Sequence, residues 1–152
     1  MYSWVVALIV RRQFGHLSAG DWRKPFRVFA PDAVLRFPGD TELSGEFRGR
    51  PAIAKWFDTG WSLFGFDFTV EDVVAKGWPW DMRVATRWHN VLTAHDGTVY
   101  RYRGMQYARF RWGRVVEDEL YEDTQTIARA LEHARAIEAR PTAGTSAPAP
   151  AP

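Results

Sequence analysis

The run from Met82 to Gln125 constrains the fold of this chain most. It reads MRVATRWHNVLTAHDGTVYRYRGMQYARFRWGRVVEDELYEDTQ. Two turn signals, His95-Asp96-Gly97-Thr98 and Arg111-Trp112-Gly113-Arg114, divide it into three segments of polar/apolar alternation. Period-two alternation broken by short Gly-bearing turns predicts a three-stranded antiparallel meander.

Its register follows from the turns. With Asp96-Gly97 as a two-residue loop, Val91 lies opposite Tyr102, His89 opposite Gly104 and Arg87 opposite Gln106. With Trp112-Gly113 as the next loop, Arg111 lies opposite Arg114, Gln106 opposite Glu119, Gly104 opposite Tyr121 and Tyr102 opposite Asp123. Directly opposed side chains share a face. One face is therefore expected to carry Arg87, His89, Tyr102, Gln106, Glu119, Tyr121 and Asp123, with Gly104 leaving room above the sheet. Val84, Trp88, Met105, Tyr107, Asp118, Leu120 and Glu122 are expected on the other. A glycine within a strand also marks bulges, which would break this register.

Two readings of the polar face stand. In one it is the floor of a pocket under helices: Arg87 holds negative charge, His89, Glu119 or Asp123 move protons, and the tyrosines donate hydrogen bonds. In the other it is wet, and Trp88, Met105, Tyr107 and Leu120 form the core.

The rest of the chain supplies helices and shorter strands. Helices are expected from Trp4 to Leu17, capped by Ser3, and from Trp22 to Phe29, capped by Asp21, with Gly20 as the left-handed C-cap between them. Strands are expected at Ala33–Phe37 and Thr41–Phe47, then a helix from Pro51 through Trp56 to Trp61, and a long strand at Phe66–Gly77. Thr126–Arg140 has the composition and apolar stripe of a closing helix. This order predicts an α+β domain over residues 1–140. A Pro/Ala-rich tail, 141–152, is too poor in large apolar residues to fold.

Composition narrows the function classes. Twenty basic and 18 acidic residues nearly cancel among 152, and no basic block stands out, so no nucleic-acid partner is expected. The absence of Cys removes thiol chemistry and thiolate metal sites, and no histidine pair has metal-ligand spacing, so no metal is expected. Trp4 to Val10 is too short to span a bilayer and the start lacks a signal-peptide pattern, so a cytoplasmic protein without a membrane partner is the default. The eight Trp suit an aromatic-lined cavity or simply a core, and Phe37 and Trp56 are candidate lining residues.

Several short stretches resemble the SnoaL-like group of the nuclear transport factor 2-like superfamily, which includes polyketide cyclases, ketosteroid isomerase and limonene-epoxide hydrolase. They are Ser18-Ala19-Gly20-Asp21-Trp22, Phe29-Ala30-Pro31-Asp32-Ala33-Val34, Gly45-Glu46-Phe47-Arg48-Gly49-Arg50-Pro51-Ala52-Ile53, Trp112-Gly113-Arg114-Val115-Val116-Glu117 and Tyr121-Glu122-Asp123-Thr124. The resemblance implies a cone in which a curved, mixed sheet wraps around three N-terminal helices, with a C-terminal helix. It also implies an apolar pocket and, frequently, a homodimer through the outer sheet face. That makes the polar face the pocket floor and Trp88, Met105 and Tyr107 the dimer surface.

The chemistry of the family transfers only in part. At the isomerase positions this chain has Phe37, Gln13 and Gln106, so steroid isomerase chemistry is not expected. The hydrolase Arg-x-Asp pair and second aspartate correspond to Arg87, His89 and Asp123. The single late carboxylate of the cyclases corresponds to Glu119 or Asp123. The expectation is a small-molecule pocket for an apolar organic ligand, with cofactor-free hydrolase, dehydratase, isomerase or cyclase chemistry carried by Arg87, His89 and Asp123. Tyr102, Gln106, Glu119, Tyr121, Phe37 and Trp56 would contact the ligand. The alternative is a non-catalytic binding or interaction module of the same fold.

Overall fold

The computed structural model describes residues 2–140. The tail expected at 141–152 lies outside the described residues. Four helices, α1 (Ser3–Ser18), α2 (Arg23–Phe26), α3 (Arg50–Leu63) and α4 (Thr124–Glu138), accompany six strands. The strands are β1 (Phe29–Phe37), β2 (Gly45–Arg48), β3 (Phe64–Trp78), β4 (Asp81–Ala94), β5 (Val99–Arg111) and β6 (Arg114–Glu122). They form one curved sheet in the order β2-β1-β6-β5-β4-β3, in which β1 pairs parallel with β6 and all other neighbours are antiparallel. The architecture is the α+β arrangement expected, with a mixed sheet.

Local chemistry accounts for most element ends. At the end of α1, Gly20 (φ 80°) donates to the Leu17 carbonyl and Asp21 to that of His16, a Schellman closure. Pro51 sits in the first turn of α3, where its missing N–H costs nothing. Two expected caps differ: Tyr2 and Trp22 occupy the N-cap positions of α1 and α2, and neither makes a side-chain cap. Asp21 instead pairs with Lys24 at 2.9 Å, and α2 ends at Phe26 because Phe29 already pairs with Val115 in the sheet.

The meander forms, but its register departs from expectation at two places. The β4–β5 loop has three residues, not two: Ala94 N–H donates to Thr98 O at 2.9 Å, and Gly97 takes a left-handed φ of 86°. Trp88 therefore lies opposite Gly104 and Asn90 opposite Tyr102. The Trp112-Gly113 turn does set Arg111 opposite Arg114, but a bulge between Arg109 and Phe110 on the β6 side then shifts the pairing, so Gln106 faces Leu120 and Gly104 faces Glu122. Side chains alternate with period two, so each one-residue slip sends a strand's side chains to the opposite face.

The inner face accordingly carries Val84, Trp88, Leu92, Tyr102, Ala108 and Leu120, all buried, with Trp88, Leu92, Tyr102 and Leu120 in one core with residues of α1, α3 and α4. Gly104 has the role expected of it with a different neighbour. A Cβ there would stand 3.0 Å from the Trp88 indole, so the glycine is what lets that ring lie across β5.

Candidate functional site

An apolar cavity of about 690 Å³, open mouth included, lies between the inner sheet face and the helices. Phe14, Phe37, Trp56, Trp61 and Trp88 are among its walls, and besides the indole N–H groups the polar side chains lining it are Tyr102, Gln106, Asp118 and Glu122. α3 contributes Trp56, whose ring packs 5.7 Å from Phe37 and whose indole N–H donates to Leu43 O at 2.9 Å. Phe37 and Trp56 thus border the cavity as the sequence suggested.

The polar groups come from two adjacent strands. On β6, Asp118, Leu120 and Glu122 alternate inward, which spaces the two carboxyls roughly 13 Å apart along the strand. They are separate groups, not a pair sharing one proton. Asp118 is 2% exposed, and Gln106 Nε2 donates to both of its oxygens at 2.8 Å. Burial pushes its pKa up to about 7, with the Gln106 hydrogen bond acting in the opposite direction. Burial likewise raises Glu122 to about 7, opposed by a hydrogen bond from Tyr102. Tyr102 accepts from Asn90 Nδ2 at 2.9 Å, leaving its own proton to donate to Glu122. Desolvation holds the Tyr102 hydroxyl well above the ordinary tyrosine pKa. The Trp88 indole N–H is buried in the wall and finds no acceptor among the described residues.

The other expected site residues lie elsewhere. Arg87 and His89 project from the outer face, where Arg87 Nε and His89 Nδ1 meet the two oxygens of Glu71 at 3.0 and 3.2 Å. Their inward placement is corrected by the three-residue loop. Glu119 and Tyr121 also face outward: Tyr121 donates to Glu119 at 2.7 Å, and Glu119 pairs with Arg36 at 3.1 Å. Their placement is corrected by the β6 bulge. Asp123 follows the last strand and caps α4, accepting from Thr126 N at 3.0 Å and Thr126 Oγ1 at 2.8 Å. Those hydrogen bonds hold its pKa below the usual carboxylate value.

Of the expected residues, Tyr102, Gln106, Phe37 and Trp56 meet at the cavity, and Arg87, His89, Glu119, Tyr121 and Asp123 do not. Trp88, expected on an outer dimer surface, is 1% exposed in the cavity wall, while Met105 and Tyr107 do lie on the outer face. Sequence reasoning missed Asp118 and Glu122. A signal existed for the inner face of β4 and β5, though not for the β6 bulge that turns Asp118 and Glu122 inward: on β4 the apolar residues Val84, Trp88 and Leu92 share one parity, and on β5 so do Tyr102, Gly104 and Ala108. Bringing both sets to one face requires a loop of odd length. Among the described residues, no three His, Asp or Glu side chains converge as a metal set.

Comparison with known proteins supports the same fold. The model of the SnoaL-like domain matches residues 10–118. No curated protein matches the chain. Among solved structures, Bal32a from a soil-derived mobile gene cassette is similar over 85% of this chain and 98% of its own, at 22% identity and a TM-score of 0.70. An NTF2-like protein of unknown function from Burkholderia pseudomallei is similar over 80% of this chain and 92% of its own, at 19% identity and a TM-score of 0.69. TerC, co-crystallized with polyporic acid, is similar over 81% and 95%, at 17% identity and a TM-score of 0.69. At these identities the likeness shows the fold alone. With the family model spanning most of the sequence, the chain belongs to the SnoaL-like family, and its fold is the one that NTF2-like proteins share.

Proposed function

We propose that the inner cavity binds a small, largely apolar organic molecule and transforms it by cofactor-free acid/base chemistry. The observation that carries this reading is Asp118, a carboxyl buried in an apolar wall whose pKa is raised to about 7. A group with that pKa holds and releases a proton with similar ease near neutral pH, as a general acid/base requires. Gln106 positions it, and Tyr102 with Glu122 forms a second proton-carrying pair further along the wall. The orphaned Trp88 N–H is a donor for a ligand oxygen. Proton transfer from carbon, dehydration and ring closure are compatible with this set. That TerC was co-crystallized with polyporic acid is consistent with an organic ligand among the Phe and Trp side chains here.

In this reading Asp118 and Glu122 take the part that the sequence assigned to His89 and Asp123. A homodimer partner, if formed through the outer face, would meet Met105, Tyr107 and Tyr121 there.

A thermal-shift screen of planar organic acids, quinones and phenols, followed by turnover assays on the hits, tests the reading. Asp118→Asn is expected to abolish turnover while leaving the ligand-induced shift in place, and His89→Ala and Asp123→Asn are expected to retain both. Turnover that survives Asp118→Asn and Glu122→Gln would remove these carboxyls from the chemistry. A ligand that binds and is never turned over would favour the non-catalytic binding module.

A further inference from the structure

Where β3 turns into β4 and β5 into β6, three tryptophans stand in solvent. Trp78, Trp80 and Trp112 are 66%, 52% and 76% exposed. They form one patch. Trp78 and Trp80 stack with centroids 5.5 Å apart and planes 3° from parallel, and Trp112 lies 6.3 Å from Trp80. The backbone N–H of Trp112 donates to Pro79 O at 2.9 Å, which ties the two hairpin tips together. Contiguous exposed aromatic surface of this kind marks a contact site more often than a free surface.

The tips also carry costs that the described residues offset only in part. Trp112 occupies a left-handed φ of 51° in a turn position that normally takes Asn, Asp or Gly. Lys76 lies directly opposite Arg83, and Arg111 directly opposite Arg114. Like charges facing each other across a ladder repel. Of the carboxylates nearby, Asp81 and Glu117 are engaged by Arg109 at 2.8 and 3.4 Å, and Asp81 reaches Arg83 only at 3.7 Å. Lys76, Arg111 and Arg114 have no ion-pair partner among the described residues. Local rules broken together at one place point to an interaction.

Beside the tips, an apolar groove of about 1050 Å³, mouth included, runs along α1 from Tyr2 to Leu17 and over the strands at Met82, Phe110 and Val115, with Gln106 and Asp118 also in its walls. Tyr2, Val5 and Ile9 border it and are themselves exposed. α1 holds Arg11 and Arg12 and no acidic residue.

We propose that this end of the molecule docks on an anionic lipid surface. Indole rings settle at the headgroup level, where one edge is apolar and the N–H is wet. Lys76, Arg83, Arg111 and Arg114 then meet anionic headgroups, and the attraction of each cation to that negative charge outweighs the repulsion within each pair. The groove beside them accepts apolar chains. A nucleic acid would satisfy the charges and stack on the rings, but it offers nothing to Tyr2, Val5, Ile9 or the groove. A second copy would bring the same positive charges together. This docking needs no spanning segment, and no described helix is long and apolar enough to cross a membrane. It revises the expectation of no membrane partner, which rested on the short apolar run at Trp4 to Val10 and the lack of a signal-peptide pattern.

Co-sedimentation of the full chain with phosphatidylcholine vesicles, with and without phosphatidylglycerol, tests the proposal on wild type, Trp78→Ser/Trp80→Ser/Trp112→Ser and Arg111→Gln/Arg114→Gln. Wild type is expected to partition onto the anionic vesicles alone and to release at high salt. The arginine variant is expected to lose roughly tenfold or more of that binding. Its thermal midpoint should stay at or above that of wild type, because a repelling pair is removed; a structural role would lower the midpoint. The triple Trp variant should lose vesicle binding. Equal partition onto both vesicle types, no partition at all, or undiminished binding by the arginine variant would overturn the proposal. So would binding of a single-stranded oligonucleotide in place of vesicles, or loss of a dimer in the Trp variant without vesicle binding by wild type.

Discussion

The two faces of the sheet hold carboxylates of the same kinds in opposite states. Inside, Asp118 is cut off from water and Glu122 is half-buried, and burial pushes both up to about 7. Outside, the hydrogen bond from His89, with Arg103 and Arg87 nearby, lowers Glu71, and the cap hydrogen bonds lower Asp123. Residue type alone does not decide chemistry here; the medium around each carboxyl does. The face richest in charged residues is the ion-paired, solvated one. The face that looks apolar in sequence contains the groups able to exchange a proton near neutral pH.

The sharpest way to break this contrast is to empty the inner face. Trp88→Ala removes a ring that packs against Phe14 at 5.1 Å and Phe68 at 6.0 Å and lies over Gly104. It is expected to destabilise the fold by about 3–5 kcal/mol in urea denaturation. A loss below about 1 kcal/mol would mean that Trp88 does not serve as core.

Next in size is the pH dependence of the buried acids. Asp118 keeps its proton in the folded protein after the unfolded chain has lost it, since its folded pKa lies above its unfolded value. Its contribution to stability therefore falls as pH rises from about 4 to about 7 and is level above that. Asp118→Asn removes this slope. Relative to wild type, the variant should gain roughly 2–4 kcal/mol between pH 4 and pH 8. Glu122→Gln should act in the same direction and by less, because part of Glu122 stays accessible. Parallel stability curves for wild type and Asp118→Asn would contradict the raised pKa.

The outer residues give the smallest effects. Asp123→Ala removes the α4 cap and should cost about 1 kcal/mol. His89→Ala opens one exposed contact to Glu71, and Arg87→Ala another; each should move the thermal midpoint by no more than about 2 °C. A large loss of ligand binding in either variant, with stability intact, would shift weight back to the outer face.

Much of the molecule was legible before any coordinates. The order of motifs from Ser18-Ala19-Gly20 to Tyr121-Glu122-Asp123 identified the family, and turn residues located the hairpins because Gly and Asp act locally. Long elements such as β3 and α4 were displaced by only a residue or two at their ends. Tyr102, Gln106, Phe37 and Trp56 were placed beside the cavity where they are found. The faces of β4 and β6 were not legible from the turns. Gly97 in a three-residue loop and the bulge before Phe110 each move the register by one; the apolar parity of β4 and β5 points to the first, and nothing in the local composition announces the second.

The sequence by itself determined the family, the hairpin positions and the kinds of group available for acid/base work. Only the tertiary structure decided which carboxyls those are. With a side-chain period of two, a single extra residue in a loop or bulge exchanges water for an apolar wall around every side chain on the strand. In that exchange Asp118 and Glu122 went in, and His89 and Glu119 came out.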